Sequence, residues 1–223
     1  KGGYKAYRRW SLNQFERQWP LRIIGGKTGS GKTSLLLSLE KQGISIIDLE
    51  GIANHKGSSF GGIGVSSQPT SEHFENSLAE KLNLLKLTSK KGIWIEDESI
   101  SLGKCRIPKA FFTQMKNAPL LEIVRTKKER VQALVEEYGK HPPEDLTEAT
   151  LRISKRLGPQ RTAIALDAIK NKSWEEACLS MLDYYDKCYD FSLEKIENKK
   201  QIDISGMNNQ SAAIKLIKIG RVY

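Results

Sequence analysis

Apolar residues along the chain come in short runs that end on glycine, acid or arginine, and between those runs they recur at helical spacing. The runs at 21–24, 44–49, 92–95 and 120–124 end against Gly25, Glu50, Glu96 and Arg125. Short runs rich in Ile and Val and bounded by such residues predict strands. Residues 34–39, 72–87 and 127–138 instead carry helical periodicity. In the last of these Val131, Leu134, Val135 and Tyr138 fall at i, i+3, i+4 and i+7, which is one stripe of a helix. Strand and helix in alternation predict an α/β fold, a parallel sheet with helices on both faces. Beyond His141-Pro142-Pro143 the pattern turns helical over 144–157, 160–171, 173–187 and 209–217, with a short strand at 202–204. The chain thus reads as a lead-in over 1–20, an α/β part over 21–141, and a mainly helical appendage over 142–223 packed on the same domain.

The first strand runs into GKTGSGKT, residues 26–33. This fits G-x-x-x-x-G-K-[ST] and lies between strand and helix, where such a loop must lie. Its chemistry comes from the residue types. Gly26, Lys27, Thr28, Gly29, Ser30 and Gly31 turn their backbone N–H groups inward around a diphosphate, and the helix that opens at Lys32, Thr33 and Ser34 adds its positive end. Lys32 reaches the terminal phosphate and Thr33 offers a hydroxyl to Mg²⁺. A ligand-free glycine turn is the bland alternative, and the flanking strand and helix argue against it.

The third strand ends IEDES. Glu96 or Asp97 is the expected metal neighbour, with Asp48 at the end of the second strand as a further candidate. Ligands of open α/β sheets bind outside the carboxyl ends of the strands. The loop after the second strand, with Glu50, His55, Lys56, Gly57, Ser58, Ser59 and Phe60, is therefore expected over the phosphate site. Arg125 after the fourth strand and Arg130 on the next helix are expected to neutralise charge on a transferring or departing phosphate. Lys32, Arg125 and His55 are the candidate catalytic residues, although a loop histidine is more often simply solvated.

Charge adds a partner class. Thirty-six Lys and Arg against 26 Asp and Glu leave +10, a field that favours polyanions. In TLRISKRLGPQR, Arg152, Lys155 and Arg156 fall at i, i+3 and i+4, with Arg161 just beyond. A nucleic-acid backbone contact and a solvated helix face account for this spacing equally well. Cys105, Cys178 and Cys188 are odd in number and lack CxxC spacing, so neither a disulfide framework nor a zinc site is indicated. The aromatic run at 184–191 reads as core before it reads as a base-stacking surface. No run is long enough to span a bilayer and no signal-like segment opens the chain, so no membrane partner and a cytoplasmic home are expected. The start at Lys1 and a glycine pair suggests a piece of a longer protein.

Several stretches together carry a resemblance: GGYKAYR, GGKTGSGKT, DLEGIANHKGSSFG, QPTSEHFENSLAEKL, IEDES, ERVQALVEEYG, ISKRLGPQR and DYYDKCY. With these the chain resembles the P-loop domain of the bacterial tRNA 2-selenouridine synthase family over nearly its whole length. The resemblance implies a transferase acting on the wobble uridine of tRNA. It converts 2-thiouridine to its S-geranyl form with geranyl diphosphate and then to 2-selenouridine with selenophosphate. It further implies a preceding rhodanese-like domain, absent here, with GGYKAYR as the seam. None of the three cysteines matches the selenium-handling cysteine of that domain, so the selenium step is not expected of this chain alone. On this reading residues 29–34 grip the diphosphate, Asp48 or the Glu96-Asp97 pair holds Mg²⁺, and the basic segment meets the anticodon arm. Two other readings stay open: a P-loop ATPase, GTPase or small-molecule kinase binding a nucleotide, and a tRNA-binding module without chemistry of its own.

Overall fold

The computed structural model describes residues 2–86, 92–193, 196 and 198–220. Five strands form one parallel sheet: β1 Leu21–Gly25, β2 Ile46–Ile47, β3 Ile93–Glu96, β6 Leu120–Val124 and β7 Lys199–Asp203. Their order is β2-β3-β1-β6-β7, so the strand that feeds the Gly-rich loop is central. A separate small hairpin joins β4 Ser101–Leu102 to β5 Cys105–Arg106.

Alternation along β3 sorts the two faces. Ile93 and Ile95 enter one core with Phe74, Leu78 and Phe111, beneath α1 Gly3–Glu16, α4 Ser71–Leu85 and α5 Lys109–Asn117. Trp94 enters the other with Leu35, Leu36 and Leu216, beneath α2 Lys32–Lys41 and α11 Asn209–Gly220. Side chains that alternate at period two and are buried on both sides give a parallel sheet its run of apolar residues. A third core lies off the sheet. There Phe60 and Ile63, from the loop after β2, pack with residues of α7 Pro143–Arg152, α8 Ser154–Leu157, α9 Pro159–Lys170 and α10 Trp174–Leu193.

The α/β expectation holds, with differences in detail. The expected strand at 44–49 keeps only Ile46 and Ile47, because Asp48 accepts a hydrogen bond from the Gly51 amide and caps a short helix, α3 Leu49–Ala53. Residues 3–16, expected as lead-in, form α1. Tyr4, Tyr7 and Trp10 stack along it at i, i+3 spacing, and Tyr4, Tyr7 and Arg8 hydrogen-bond to Glu72, Glu80 and Glu75 of α4. With Trp10 and Phe15 as its apolar anchors and the rest of its docking polar, this helix leaves little apolar period to read. The last strand is longer than 202–204 and pairs with β6 from Leu120↔Lys199 to Val124↔Asp203, and α11 packs on α2. Residues 199–220 thus complete the sheet and its helical cover. The expected helix at 144–157 breaks at Ile153 (φ −102°, ψ 2°). Thr150 Oγ1 donates back to the Leu146 carbonyl at 2.8 Å, a bond that bends helices. Leu87, the last residue of the expected helix over 72–87, lies outside the described residues. Among those described, no helix is long and apolar enough to cross a membrane.

Candidate phosphate and metal site

The loop at 26–33 wraps the start of α2 at the carboxyl end of β1. Gly29 and Gly31 take φ of +77° and +81°, and a Cβ on Gly29 would lie 2.7 Å from the Arg130 carbonyl oxygen, so glycine is required there by both backbone and space. Beside the loop opens a cleft of about 860 Å³. It is bounded by the loop itself, by the segment after β2 and by α6 Lys127–Tyr138.

Lys32 Nζ donates to the Gly26 carbonyl at 3.1 Å and lies 5.4 Å above the Tyr189 ring. Burial disfavours its charge, but Tyr189 and the carboxylates of Glu98, Glu50 and Glu96 outweigh that, and its pKa rises. Thr33 Oγ1 lies 2.9 Å from both Glu50 Oε2 and Glu96 Oε2, and the Glu50 amide donates to Glu96 Oε1 at 3.1 Å. A hydroxyl has one proton to give. One of the two acids must therefore be protonated for both bonds to form. The electrostatics agree: burial first, then Glu50, pushes Glu96 up to about 8, and burial first, then Glu98, pushes Glu50 up to about 7. Burial likewise carries Glu98 to about 7, against the pull of Lys32.

One oxygen from each of Glu50, Glu96 and Glu98 lies within 4.8 Å of the others. With Thr33 they form an oxygen-only donor set, which suits a hard cation such as Mg²⁺. Such an ion would take the place of the proton that Thr33 and the two acids now share. Gly57, at φ +69°, brings the second-strand loop onto this cluster so closely that a Cβ would meet Glu98 Oε2 at 2.6 Å.

The other expected site residues divide. Asp48 lines the cleft but spends a carboxylate oxygen on the α3 cap. Asp97 faces the opposite side of the sheet and pairs with Lys116 at 2.7 Å, away from Thr33. Arg125 also lines the cleft, while donating to the carbonyls of Ser30 at 3.2 Å and Met207 at 3.0 Å. His55 lines the cleft with a buried, unpartnered Nδ1, and burial, then Arg152, lowers its pKa. Lys56 pairs with Glu137 at 2.8 Å and lies over the Tyr138 ring. Ser58 Oγ accepts from the Phe60 amide, and Phe60 is buried edge-on against Tyr138. Arg152 donates to the Ser59 carbonyl at 2.9 Å, which puts the basic segment at the rim of the cleft. Lys155 and Arg156 are on α8, Arg156 exposed and Lys155 exposed beside it. Arg161, on α9, adds to the hydrogen bond from Lys127 that holds Asp183 of α10 below the usual carboxylate range.

Sequence reasoning missed the hold of α10 on the Gly-rich loop. Arg130, 6% exposed, makes paired 2.7 Å bonds to Asp186 while donating to the Thr28 carbonyl. Lys27 pairs with Asp190 at 2.7 Å, and Tyr189 lies under Lys32. Asp186, Tyr189 and Asp190 are at i, i+3 and i+4, one helix face, and that spacing inside the aromatic run was the available signal. Glu98 was missed too, although it shares strand parity with Glu96.

The sequence matches a family profile described as the tRNA 2-selenouridine synthase AAA domain over residues 19–150. Three curated proteins named tRNA 2-selenouridine synthase are similar to it. That of Sulfurovum sp. (strain NBC37-1) is 36% identical, with 87% of this chain and 61% of the relative covered. That of Hydrogenovibrio crunogenus is 35% identical, covering 92% and 63%, and that of Marinobacter nauticus 36%, covering 86% and 60%. The chain thus spans about three fifths of the length of these relatives. A solved structure of an uncharacterized protein from Eubacterium ventriosum ATCC 27560 aligns at TM-score 0.41 and 16% identity, over 93% of this chain and 100% of that one, a likeness too loose to inform the chemistry of the site.

Proposed function

The chain belongs to the tRNA 2-selenouridine synthase family, and on that premise we propose that it serves the transferase step at the tRNA wobble uridine by holding geranyl diphosphate through its diphosphate. The observation that carries this reading is the convergence of the Gly-rich loop, Lys32, Thr33 and the buried acids at one mouth of the cleft.

In prenyl transfer the 2-thiouridine sulfur attacks C1 of the prenyl chain. The C1–O bond breaks, pyrophosphate departs with the electron pair, and the N3 proton of the thiouridine is lost to water. The sulfur is a good nucleophile, so the protein's task is to stabilise charge on the leaving group. Inward amides of residues 29–34 and the Lys32 ammonium suit that task. Lys32 would turn from the Gly26 carbonyl onto the diphosphate, a short rearrangement for a flexible side chain. Thr33, Glu96 and Glu50 would hold Mg²⁺, which supplies Lewis-acid neutralisation of the same charge. Mg²⁺ held there would also offset the repulsion between these carboxylates and the incoming anion.

Arg152 at the rim of the cleft, with Lys155, Arg156 and Arg161 further along the same helical region, would supply cations to the phosphates of the anticodon arm. The selenium step, with selenophosphate, would need the rhodanese-like domain that the family resemblance implies. The decisive assay is transfer of labelled geranyl to a 2-thiouridine anticodon stem-loop. The chain is expected to transfer and Lys32→Ala to fail, and equal rates would overturn the reading. A second reading, nucleotide hydrolysis, draws on the acids beside Thr33, and phosphate release from ATP in the same samples separates it.

A further inference from the structure

The helical side of the cleft holds a second, different space. An apolar cavity of about 70 Å³ lies among Phe60 of the loop after β2, Leu134 and Tyr138 of α6, and Trp174, Met181 and Tyr185 of α10. Thr28, Ser58, Leu134 and Tyr138 line both this cavity and the phosphate cleft, so one layer of side chains separates them. Thr28 belongs to the Gly-rich loop itself, and its carbonyl is held by Arg130. A phosphate cradle and an apolar cavity that share a wall suit one ligand with an anionic head and a hydrocarbon end.

We propose that this cavity is the subsite for the hydrocarbon end of the prenyl diphosphate, an assignment that rests on the reading of the diphosphate site given above. The lining decides the class of ligand. A nucleobase buried there would leave several ring donors and acceptors without partners, whereas an alkenyl chain has none to satisfy. Volume decides how much enters. The cavity is about half the roughly 150 Å³ that admits benzene, so the branched end of the chain would enter as the lining gives way, and the remaining carbons would run along the wall formed by Thr28 and Ser58. Met181, unbranched and polarizable, is the lining residue able to give way to a longer chain.

The test compares inorganic pyrophosphate, geranyl diphosphate and farnesyl diphosphate binding to the 223-residue chain with Mg²⁺ by calorimetry. Geranyl diphosphate is expected to bind about a hundred-fold more tightly than pyrophosphate, roughly what three or four buried methylenes contribute. Ala177→Leu, which fills the cavity from α10, is expected to remove at least about ten-fold of that preference. Met181→Ala, which enlarges it, is expected to shift selectivity toward farnesyl diphosphate. Thermal unfolding confirms that each variant folds, and Met181→Ala stands alone if Ala177→Leu does not. Pyrophosphate binding with no preference for the prenyl ligand, or an unchanged preference in the folded variants, overturns the subsite and leaves the diphosphate reading intact. Failure of the unaltered chain to bind pyrophosphate overturns both.

Discussion

The two walls of the cleft are built on different principles. The sheet wall is local: strand β1, the Gly-rich loop and α2 succeed one another without a break, and Glu50, Glu96 and Glu98 sit at or just past strand ends. The helical wall is assembled from distant parts. Arg130 and Asp186 are 56 residues apart, and Lys27 and Asp190 are 163 apart. A cradle for phosphate can be set by backbone conformation alone, whereas a wall for the rest of the ligand must be pinned to it. Arg130 does the pinning, since it bonds both the Thr28 carbonyl and Asp186.

Cutting that pin is the strongest way to break the contrast. Arg130→Ala leaves Asp186 as an unpaired, mostly buried charge and is expected to cost about 3–5 kcal/mol in guanidinium unfolding. Arg130→Ala with Asp186→Ala removes that unpaired charge and is expected to recover much of the loss. A double variant as unstable as the single one would show that the pair is not what holds α10. On the sheet wall the matching change is Lys32→Ala. If the loop holds a diphosphate, this removes a charge-assisted contact to it and is expected to weaken pyrophosphate binding about 100- to 1000-fold, as calorimetry would read. If instead Lys32→Ala chiefly cost stability, the lysine would serve the acid cluster rather than the ligand.

The acid cluster yields a pH test. Glu96, Glu50 and Glu98 have folded-state pKa values raised above the ordinary 4.5, to about 8, 7 and 7. Below about pH 4.5 these acids are protonated in both states and their contribution is complete. Above that the unfolded chain ionises them while the folded chain keeps its protons up to about pH 7 to 8, so stability is lost across the interval. Without metal, the unfolding free energy of the unaltered chain relative to Glu96→Gln is expected to fall between about pH 5 and 8. The slope is at most about 1.4 kcal/mol per pH unit for each titrating group. Mg²⁺ is expected to flatten it. A difference that grows with pH would place the acids in a charge-stabilised environment and remove the argument for a shared proton at Thr33.

The same division explains what could be read from the sequence. Strand runs, the Gly-rich loop and the helix at 127–138 rest on local spacing, and they stand where that spacing put them, save the second strand, which the α3 cap cuts to Ile46–Ile47. Which acid faces Thr33 required the face of β3 to be known. Parity grouped Glu96 with Glu98 and set Asp97 apart, but only the packing of Trp94 against α2 and of Ile95 against the opposite core says which group meets the loop. Arg125 is a related case. Its position after β6 puts it in the lining of the cleft, and its guanidinium also donates to the carbonyls of Ser30 and Met207, a contact between residues 82 apart in the second case that local spacing does not announce. The cavity beside Tyr138 needed α6, α10 and the loop at 58–64 to meet, and no local pattern announces such a meeting.

The smallest expected effects lie at the rim, where the basic residues of the helical wall face solvent. Lys155→Ala on α8 tests a phosphate contact and little else. If the anticodon arm lies there, tRNA binding weakens to a similar degree for all sequences, and the log–log salt slope falls by about 0.9. Arg152→Ala is expected to do the same and something more, because Arg152 also donates to the Ser59 carbonyl. Loss of that bond loosens the loop that carries Ser58 and Phe60, so the KM for geranyl diphosphate should rise with Arg152→Ala and stay level with Lys155→Ala. Equal KM values in the two variants would separate the loop from the basic rim. An unchanged salt slope in both would mean that the rim is a solvated helix end.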